Sequence, residues 1–182
     1  QKKNNKIFDS QINVDISASI KIIEDAISNK VFPGAQIFIS KDHKIIFNDG
    51  IGNLSYDNTS NKVNTETIYD VASLTKVLAT TPIVMKLVQK KKIGLNYPLS
   101  DFYAEFSIKE KEKITIKHLL THTSGLKPYV EYYKKDGFDS KDKIINDILN
   151  LELDYTPGTK MVYSDLGMIL LCDIIERTTN TS

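Results

Sequence analysis

The chain has 182 residues, of which 41% are hydrophobic and 26% are charged, with a formal net charge of +1. This composition is that of an ordinary globular domain, and its balanced charge gives no reason to expect nucleic acid or an anionic membrane as a partner. No apolar run reaches the roughly 18 residues that a membrane span needs.

A single cysteine, Cys172, excludes an internal disulfide. It lies among apolar neighbours, which favours a buried and unreactive thiol. The chain opens on Gln1 and a polar run to Ser10. A mature exported protein without its signal peptide, or a piece cut from a longer chain, would begin in this way. The first of these interpretations predicts a periplasmic, cell-envelope or secreted protein.

Taken in chain order, the apolar residues predict helices and one hairpin. Segments with helical spacing are 16–29, 73–92, 115–122, 140–151 and 166–177. Pro82 lies inside the second of them, so we expect a kink or a locally loosened turn there. A hairpin followed by a run of helices predicts an α+β fold with segregated helices.

The hairpin is predicted from two short apolar runs, 35–40 and 44–48, on either side of a polar tip. Asp49-Gly50 and Gly52-Asn53 are expected to end the hairpin. One face is expected to join a core, because apolar residues alternate along both strands. These residues are Ile37, Ile39, Ile45 and Phe47.

Ser73 and Lys76 stand three residues apart at the start of the predicted helix over 73–92. Residues at this spacing are neighbours on one helix face, so the hydroxyl and the ammonium would face the same space. Serine needs a base at neutral pH, and a lysine becomes one when burial lowers its pKa. The pair therefore predicts a nucleophile with its base. The alternative is that Ser73 only caps the helix.

Three blocks of residues then carry a resemblance. The first is Ser73-x-x-Lys76, the second is the Leu-Leu-Thr-His-Thr-Ser-Gly-Leu stretch over 119–126, and the third runs from Pro157 to Asp165. In this order and spacing, the chain resembles the class C β-lactamase and penicillin-binding serine hydrolase family from about Ile20 to Thr179.

The resemblance implies roles for three residues. Ser73 corresponds to the acylated nucleophile, Lys76 to the residue that assists its deprotonation, and Tyr163 to the acid/base tyrosine. A phenol has a pKa near 10 and becomes a useful base only beside positive charge, which Lys76 can supply. The two groups would then titrate as a pair.

Two features depart from the family pattern. Asp165 stands where the commoner motif has Asn, and an ionised Asp accepts hydrogen bonds but does not donate them. It is expected to support Lys76 by charge, while raising the pKa of that lysine. The family's Lys-Thr-Gly or His-x-Gly strand, which supplies one oxyanion-hole N–H, does not follow Asp165.

The chain thus resembles the N-terminal half of a longer enzyme. The implied fold is β-lactamase/transpeptidase-like, with an antiparallel sheet flanked by helices plus a helical subdomain. We assign residues 1–94 to the sheet domain with the nucleophile helix and 95–182 to the helical subdomain. The remaining strands are absent from this chain, so a further segment of the same protein is expected to complete the sheet. Residues 1–182 alone are expected to be poorly active.

Two alternative roles are a Ser–His dyad that contains His122 and a metal site formed by His118 and His122. We favour a simpler role for His122, as a histidine bonded to backbone at a helix end. No metal or other cofactor is expected.

The expected function is that of a serine hydrolase acting on a small-molecule ester, an amide or a peptidoglycan-like substrate. One alternative is a D,D-peptidase or β-lactamase. Another is a non-catalytic binding or sensing module that keeps the fold.

Overall fold

The computed structural model of the chain describes residues 14–107 and 109–181. The α-helices are α1 Ser17–Ser28, α2 Thr81–Gln89, α3 Ile116–Leu120, α4 Lys141–Asn150 and α5 Asp165–Thr179. The strands are β1 Gly34–Lys41 and β2 Lys44–Gly52. Shorter 3-10 turns span Ala72–Leu74, Leu99–Asp101, Ala104–Ser107, Lys109–Lys113 and Tyr132–Lys134, and a π-helical turn spans Lys76–Thr80.

The chain divides into two compact units, the first ending at Asp70 and the second beginning at Val71. The predicted domain boundary between residues 94 and 95 stays a prediction. The polar run at residues 1–10 lies outside the described residues. Within the described ranges, no helix combines the length and the apolar character needed to cross a membrane.

The first unit contains α1 and the predicted hairpin, whose strands pair in antiparallel fashion. Asp42 and His43 form the turn with φ values of 51° and 62°, as a two-residue hairpin turn of the I′ type requires. Strand β2 runs through Asp49-Gly50, so the first of the two predicted breaks is wrong, but it ends at Gly52, where the second was predicted. Gly50 lets a neighbouring segment approach, because a Cβ there would lie 2.3 Å from the Val63 carbonyl oxygen.

A β-bulge alters which hairpin residues are buried. Ile39 pairs with Phe47 but Ser40 pairs with Ile45, which leaves Ile46 as the extra residue. Ile46 and Phe47 are both buried, whereas Ile45 is 36% exposed. Strict alternation therefore fails at this point of β2.

The second unit holds a larger apolar core formed between α3, α4, α5 and the intervening turns. Its fully buried members include Leu99, Phe106, Ile114, Ile116, Leu119, Leu126, Ile148, Leu166, Leu170, Leu171 and Ile174. Thr115 caps the start of α3, and its side chain and that of His118 form a reciprocal capping box.

The segment predicted as one helix over 73–92 has three successive geometries. A 3-10 turn carries Ser73, a π-helical turn follows from Lys76 to Thr80, and α2 begins at Thr81. Pro82 occupies the first turn of α2, where its missing N–H costs least. The turn before it is widened, since Pro82 cannot donate to the carbonyl of residue 78. The predicted loosened turn is confirmed, but the uninterrupted α-helix is wrong.

Helix α5 buries a charge and exposes its thiol. Cys172 is exposed, so its predicted burial is wrong. Asp173 is instead only 4% exposed, and its carboxylate has three partners. Its Oδ2 accepts from Tyr103 Oη at 2.8 Å and from Arg177 Nε at 2.6 Å, and its Oδ1 lies 3.0 Å from Lys141 Nζ. These partners make a buried aspartate tolerable on a core face.

We predict that Asp173→Asn lowers the free energy of unfolding by about 1–3 kcal/mol at pH 7, the usual size for hydrogen bonds to a charged group. Burial raises the pKa of Asp173, but bonds from Arg177, Tyr103 and Lys141 lower it by more, to below its ordinary 3.8. The stabilisation is therefore present above the unfolded-state pKa and lost as pH falls through the folded value.

Urea denaturation from pH 7 to pH 3 measures this effect, and the gap between wild type and variant should narrow with acid. Asp139→Asn is the matched control, because Asp139 is an exposed partner of Lys143. Such surface pairs contribute little. An equal loss of unfolding free energy in both variants would contradict the prediction. So would a difference between the wild type and Asp173→Asn that does not change with pH.

Candidate active site

The predicted nucleophile lies on a tightly bent turn. Ser73 occupies the 3-10 turn and is exposed. Ala72, the residue before it, has a φ of 43°, in the left-handed region that residues other than glycine rarely adopt. This turn has no side-chain cap hydrogen bond, so the alternative role of Ser73 as a cap is not supported. The turn instead presents its hydroxyl to Lys76.

Lys76 contacts the other three predicted site residues. Its Nζ donates to Ser73 Oγ at 3.2 Å and lies 2.7 Å from Asp165 Oδ1. It also lies 4.9 Å from the centre of the Tyr163 ring. The lysine side chain is only 16% exposed, so its charge is held by these neighbours more than by solvent.

Lys76 and Asp165 form a close ion pair. Asp165 Oδ1 is buried and makes no aligned hydrogen bond within the described chain, although Lys76 Nζ is 2.7 Å away. Burial lowers the pKa of Lys76, but the ion pair with Asp165 and hydrogen bonding with Tyr163 raise it by more. The net pKa of Lys76 therefore lies above its ordinary value, and the lysine is a cation.

Tyr163 shows the complementary shift. Hydrogen bonding with Lys76, and then with Ser73, lowers the pKa of the Tyr163 phenol, against the opposing effects of burial and of Asp165. A raised lysine pKa and a lowered tyrosine pKa describe one coupled pair. The pair favours a proton on the amine and negative charge on the phenol.

Hydrogen bonds between two segments place Tyr163 beside Lys76. We call residues 122–128 the histidine segment and residues 154–165 the tyrosine segment. Backbone N–H groups of the tyrosine segment donate to carbonyls of the histidine segment at both ends. These bonds are Asp154 to Gly125 at 2.8 Å, Gly158 to Thr123 at 2.8 Å, Val162 to His122 at 2.8 Å and Asp165 to Pro128 at 2.7 Å.

Gly125 and Ser164 show why this pairing needs particular residues. Gly125 has a φ of 86°, and a Cβ on it would lie 2.3 Å from the Tyr155 carbonyl oxygen. Any side chain there would push the segments apart. Ser164 Oγ donates to the Lys127 carbonyl at 2.7 Å and accepts from Gly167 N–H at 3.3 Å, so Ser164 caps α5 as well.

His122 is bonded to backbone, as the sequence predicted, but its partner belongs to the tyrosine segment. Its Nδ1 accepts from Ser164 N–H at 3.1 Å, and its ring centre lies 4.6 Å from that of Tyr163. Burial lowers the pKa of His122, and the charge of Lys76 lowers it further. Sequence spacing gave no signal for this partner.

The structure therefore brings together the four residues named from the sequence: Ser73, Lys76, Tyr163 and Asp165. It adds His122 behind the tyrosine. Among the described residues, no group of three or more histidine, cysteine, aspartate or glutamate side chains is placed to hold a metal ion. The site offers a hydroxyl, a cation and an acidic phenol in mutual contact, which is the equipment of nucleophilic acyl transfer.

The chain is similar to known proteins over most of its length. Among curated relatives, it is 34% identical to the N-acetylmuramyl-L-alanine amidase of Bacillus subtilis, over 81% of this chain and 37% of that protein. It is also 34% identical to Protein flp of Staphylococcus aureus, over 96% of this chain and 34% of that protein. The chain thus spans about a third of the length of these relatives.

Solved structures agree with the fold. The octameric penicillin-binding protein homologue from Pyrococcus abyssi matches with a TM-score of 0.78 and 28% identity, covering 93% of this chain and 40% of that one. A class C β-lactamase matches with a TM-score of 0.78 and 20% identity, covering 93% of this chain and 46% of that one, which shows the fold alone. The β-lactamase/transpeptidase-like α+β fold is confirmed.

A family model extends the same result along the chain. The model described as Beta-lactamase matches residues 20–182, which is most of the sequence and includes every residue of the site. Relatives in this family carry hydrolase names, amidase and β-lactamase among them. The chain belongs to the Beta-lactamase family.

Proposed function

We propose that this protein is a serine hydrolase that cleaves an ester or amide through an acyl-enzyme on Ser73. The observation that carries the proposal is the position of Lys76 Nζ, 3.2 Å from Ser73 Oγ and 2.7 Å from Asp165 Oδ1. This contact places a partly buried cation against a hydroxyl, with an anion to hold the cation there. A solvated lysine on a helix surface would need neither neighbour.

The proposed roles of Lys76 and Tyr163 follow from the direction of the hydrogen bond between Lys76 and Ser73. Lys76 donates to Ser73 Oγ and is held protonated by Asp165, so it is not free to accept the serine proton. The Tyr163 oxygen is the remaining acceptor, and hydrogen bonding with Lys76 and Ser73 lowers the pKa of that phenol. We therefore assign the base to Tyr163 and assign to Lys76 the task of keeping the phenol anionic.

In the acylation step, Ser73 Oγ attacks the substrate carbonyl carbon while its proton passes to the Tyr163 oxygen. The new C–O bond forms as the carbonyl becomes a tetrahedral oxyanion. The oxyanion then collapses, the bond to the leaving group breaks, and the leaving oxygen or nitrogen takes the proton from Tyr163. Water repeats the sequence on the acyl-enzyme, with Tyr163 again accepting a proton and returning it to Ser73.

Asp165 shapes the substrate class. Its side chain is half exposed beside the nucleophile and can accept hydrogen bonds but not donate them. A substrate carbonyl near it, whether of an ester or an amide, would meet another acceptor, whereas a group with an N–H could donate to the carboxylate. Asp165 therefore favours small esters and amides that do not need a side-chain amide donor at this position.

A second candidate function is a D,D-peptidase or β-lactamase that acts on peptidoglycan or β-lactams. It is favoured by the relatives named as a penicillin-binding protein homologue and a cell-wall amidase. A cell-envelope or secreted location follows from the same relatives as part of this proposal. Comparing nitrocefin with a p-nitrophenyl ester separates the two candidates, since the first reports opening of a β-lactam ring and the second reports cleavage of an ester.

A non-catalytic module with this fold is the remaining alternative. Covalent labelling with a fluorophosphonate separates it from both hydrolases, because the label needs an activated serine. All of these experiments use the protein expressed from its complete coding sequence.

The first prediction under this proposal concerns the nucleophile. Ser73→Ala should abolish covalent labelling by a fluorophosphonate and leave the circular dichroism spectrum unchanged, because the exposed hydroxyl contributes little to packing. Mass spectrometry of the intact protein and of its peptides measures the adduct. Ser19→Ala, at an exposed position of α1, is the control and should label fully. An adduct on the alanine variant would refute the assignment of Ser73.

The second prediction concerns the base. Lys76→Ala and Tyr163→Phe should each slow acylation by about 100- to 10,000-fold, the usual range for general acid–base groups. The double variant should lose less than the product of the two effects, because the pair acts as a unit. Stopped-flow acylation kinetics measure all three, with exposed Tyr129→Phe as the control. Fully multiplicative losses would show independent roles.

The third prediction concerns pH. The negative charge of Asp165 raises the pKa of both Lys76 and Tyr163. In Asp165→Asn both pKa values should therefore fall. Activity needs a deprotonated tyrosine and a protonated lysine, so both limbs of the kcat/KM profile should move to lower pH.

The pH profile of kcat/KM from pH 4 to pH 11 tests this shift. Asp154→Asn is the matched control, because Asp154 pairs with Lys127 at 3.3 Å and is not in contact with Lys76 in the described structure. Its profile should coincide with that of the wild type. Limbs that stay in place in Asp165→Asn, or that move apart, would show that Asp165 does not set the charge of the pair.

A further inference from the structure

His122 holds both chain neighbours of Tyr163. Its backbone carbonyl accepts from Val162 N–H at 2.8 Å, and its ring Nδ1 accepts from Ser164 N–H at 3.1 Å. Between these two bonds, its ring lies against the Tyr163 ring, with centres 4.6 Å apart and planes at 35°. One residue thus fixes the backbone before and after the tyrosine and one face of its ring.

The bond from Ser164 determines the state of the histidine. A backbone N–H only donates, so Nδ1 has to accept and cannot carry a proton. The neutral ring then holds its proton on Nε2. A protonated imidazolium would present a second donor to Ser164 N–H, and this bond would be lost.

We propose that His122 is a positioning residue, whose neutral Nε2–H form holds Tyr163 against Lys76 and Ser73 and whose protonation releases it. The consequence for turnover rests on the proposed role of Tyr163 as the base. The protonation state and the grip on Ser164 do not rest on that role. The two parts can therefore be tested separately.

The charges around His122 act in the required direction. The groups that face it are Lys76, Asp165 and the Tyr163 phenol. Burial lowers the pKa of His122 and Lys76 lowers it further, and the opposing effects of the Ser164 backbone and of Asp165 leave it below the ordinary 6.5. The neutral form is thus stabilised in the folded protein, and the contribution of His122 is present above pH 6.5 and lost as pH falls through the folded value.

The backbone of His122 guides the choice of variants. Its φ is 56°, a left-handed conformation that asparagine adopts more readily than other residues with a side chain. His122→Asn keeps a short side-chain acceptor for Ser164 but removes the ring and its titration. His122→Phe keeps a ring against Tyr163 but removes the acceptor. Exposed His43 has a φ of 62°, so His43→Phe measures the cost of phenylalanine in this conformation alone.

The first readout is independent of activity. In the protein labelled with ¹⁵N, imidazole spectra should show His122 as the Nε2–H form at pH 7.5, assigned by its absence from His122→Asn. Hydrogen exchange at Ser164 N–H should be slow at that pH and accelerate as His122 becomes protonated. An Nδ1–H form or a charged ring at pH 7.5 would overturn the proposal, whether or not the protein is a hydrolase.

The second readout is kinetic. His122→Phe should lower kcat by about 10- to 100-fold with little change in KM, as expected for a misplaced catalytic group. His122→Asn should recover most of that loss. In the pH profile of the logarithm of kcat, the acid limb should have a slope approaching two in the wild type and one in His122→Asn, because the variant lacks the titrating imidazole.

His43→Phe should match the wild type in kcat and in pH profile. A His122→Phe variant that retains full kcat and the wild-type acid limb would overturn the proposal. An unlabelled Ser73 in the wild type would instead overturn the proposed function, while the imidazole form and the exchange of Ser164 would still decide the role of His122. The two failures are therefore distinguishable.

Discussion

The site depends on the hydrogen bonds that join the tyrosine segment to the histidine segment. Ser73 and Lys76 are close in sequence and meet through local helical geometry, but nothing local brings a phenol to them. That task falls to backbone N–H groups over 154–165, which donate to carbonyls over 122–128. Gly125 permits the close approach, and the buried ends of α3 and α5 hold the two segments from behind. A rigid scaffold thus positions the loop that carries Tyr163.

The electrostatics of the site are decided by an anion behind the lysine. A neutral amide at residue 165 would still offer an oxygen to Lys76, but without the negative charge that raises the pKa of the lysine. With a carboxylate 2.7 Å away, the proton is held on Lys76, although the same charge opposes ionisation of the Tyr163 phenol. Burial alone would have driven Lys76 the other way, towards the neutral amine. The ion pair outweighs burial, and this balance separates a lysine base from a tyrosine base.

The sequence predicted those features of this protein that depend on residues close together in the chain. Apolar spacing located the helices, and the resemblance named all four site residues. It failed where distant partners decide the outcome. The apolar neighbours of Cys172 predicted a buried thiol. Helix α5 instead buries Asp173, because Tyr103, which lies 70 positions away in the sequence, donates a hydrogen bond to its carboxylate. The hydrogen bond between Ser164 and His122 joins residues 42 positions apart in the sequence, and no spacing rule predicts it. The π turn before Pro82 was not predicted for another reason. Over so few residues, the apolar periodicity hardly differs between an α-helix and a π-helix.

That π turn has a consequence for how the chain tolerates change. Each residue of an α-helix advances about 100° around the axis, and a π turn holds an extra residue in its circle. The wide turn over Lys76–Thr80 therefore sets the angle between Ser73 and the buried side chains of α2, Val84 and Leu87. Loss of the extra residue there would restore a regular helix and leave Ser73 on nearly the same face, whereas loss of one residue within α2 would rotate it by about 100°. A deletion of one residue is accordingly tolerated better in the wide turn than in the regular helix that follows it.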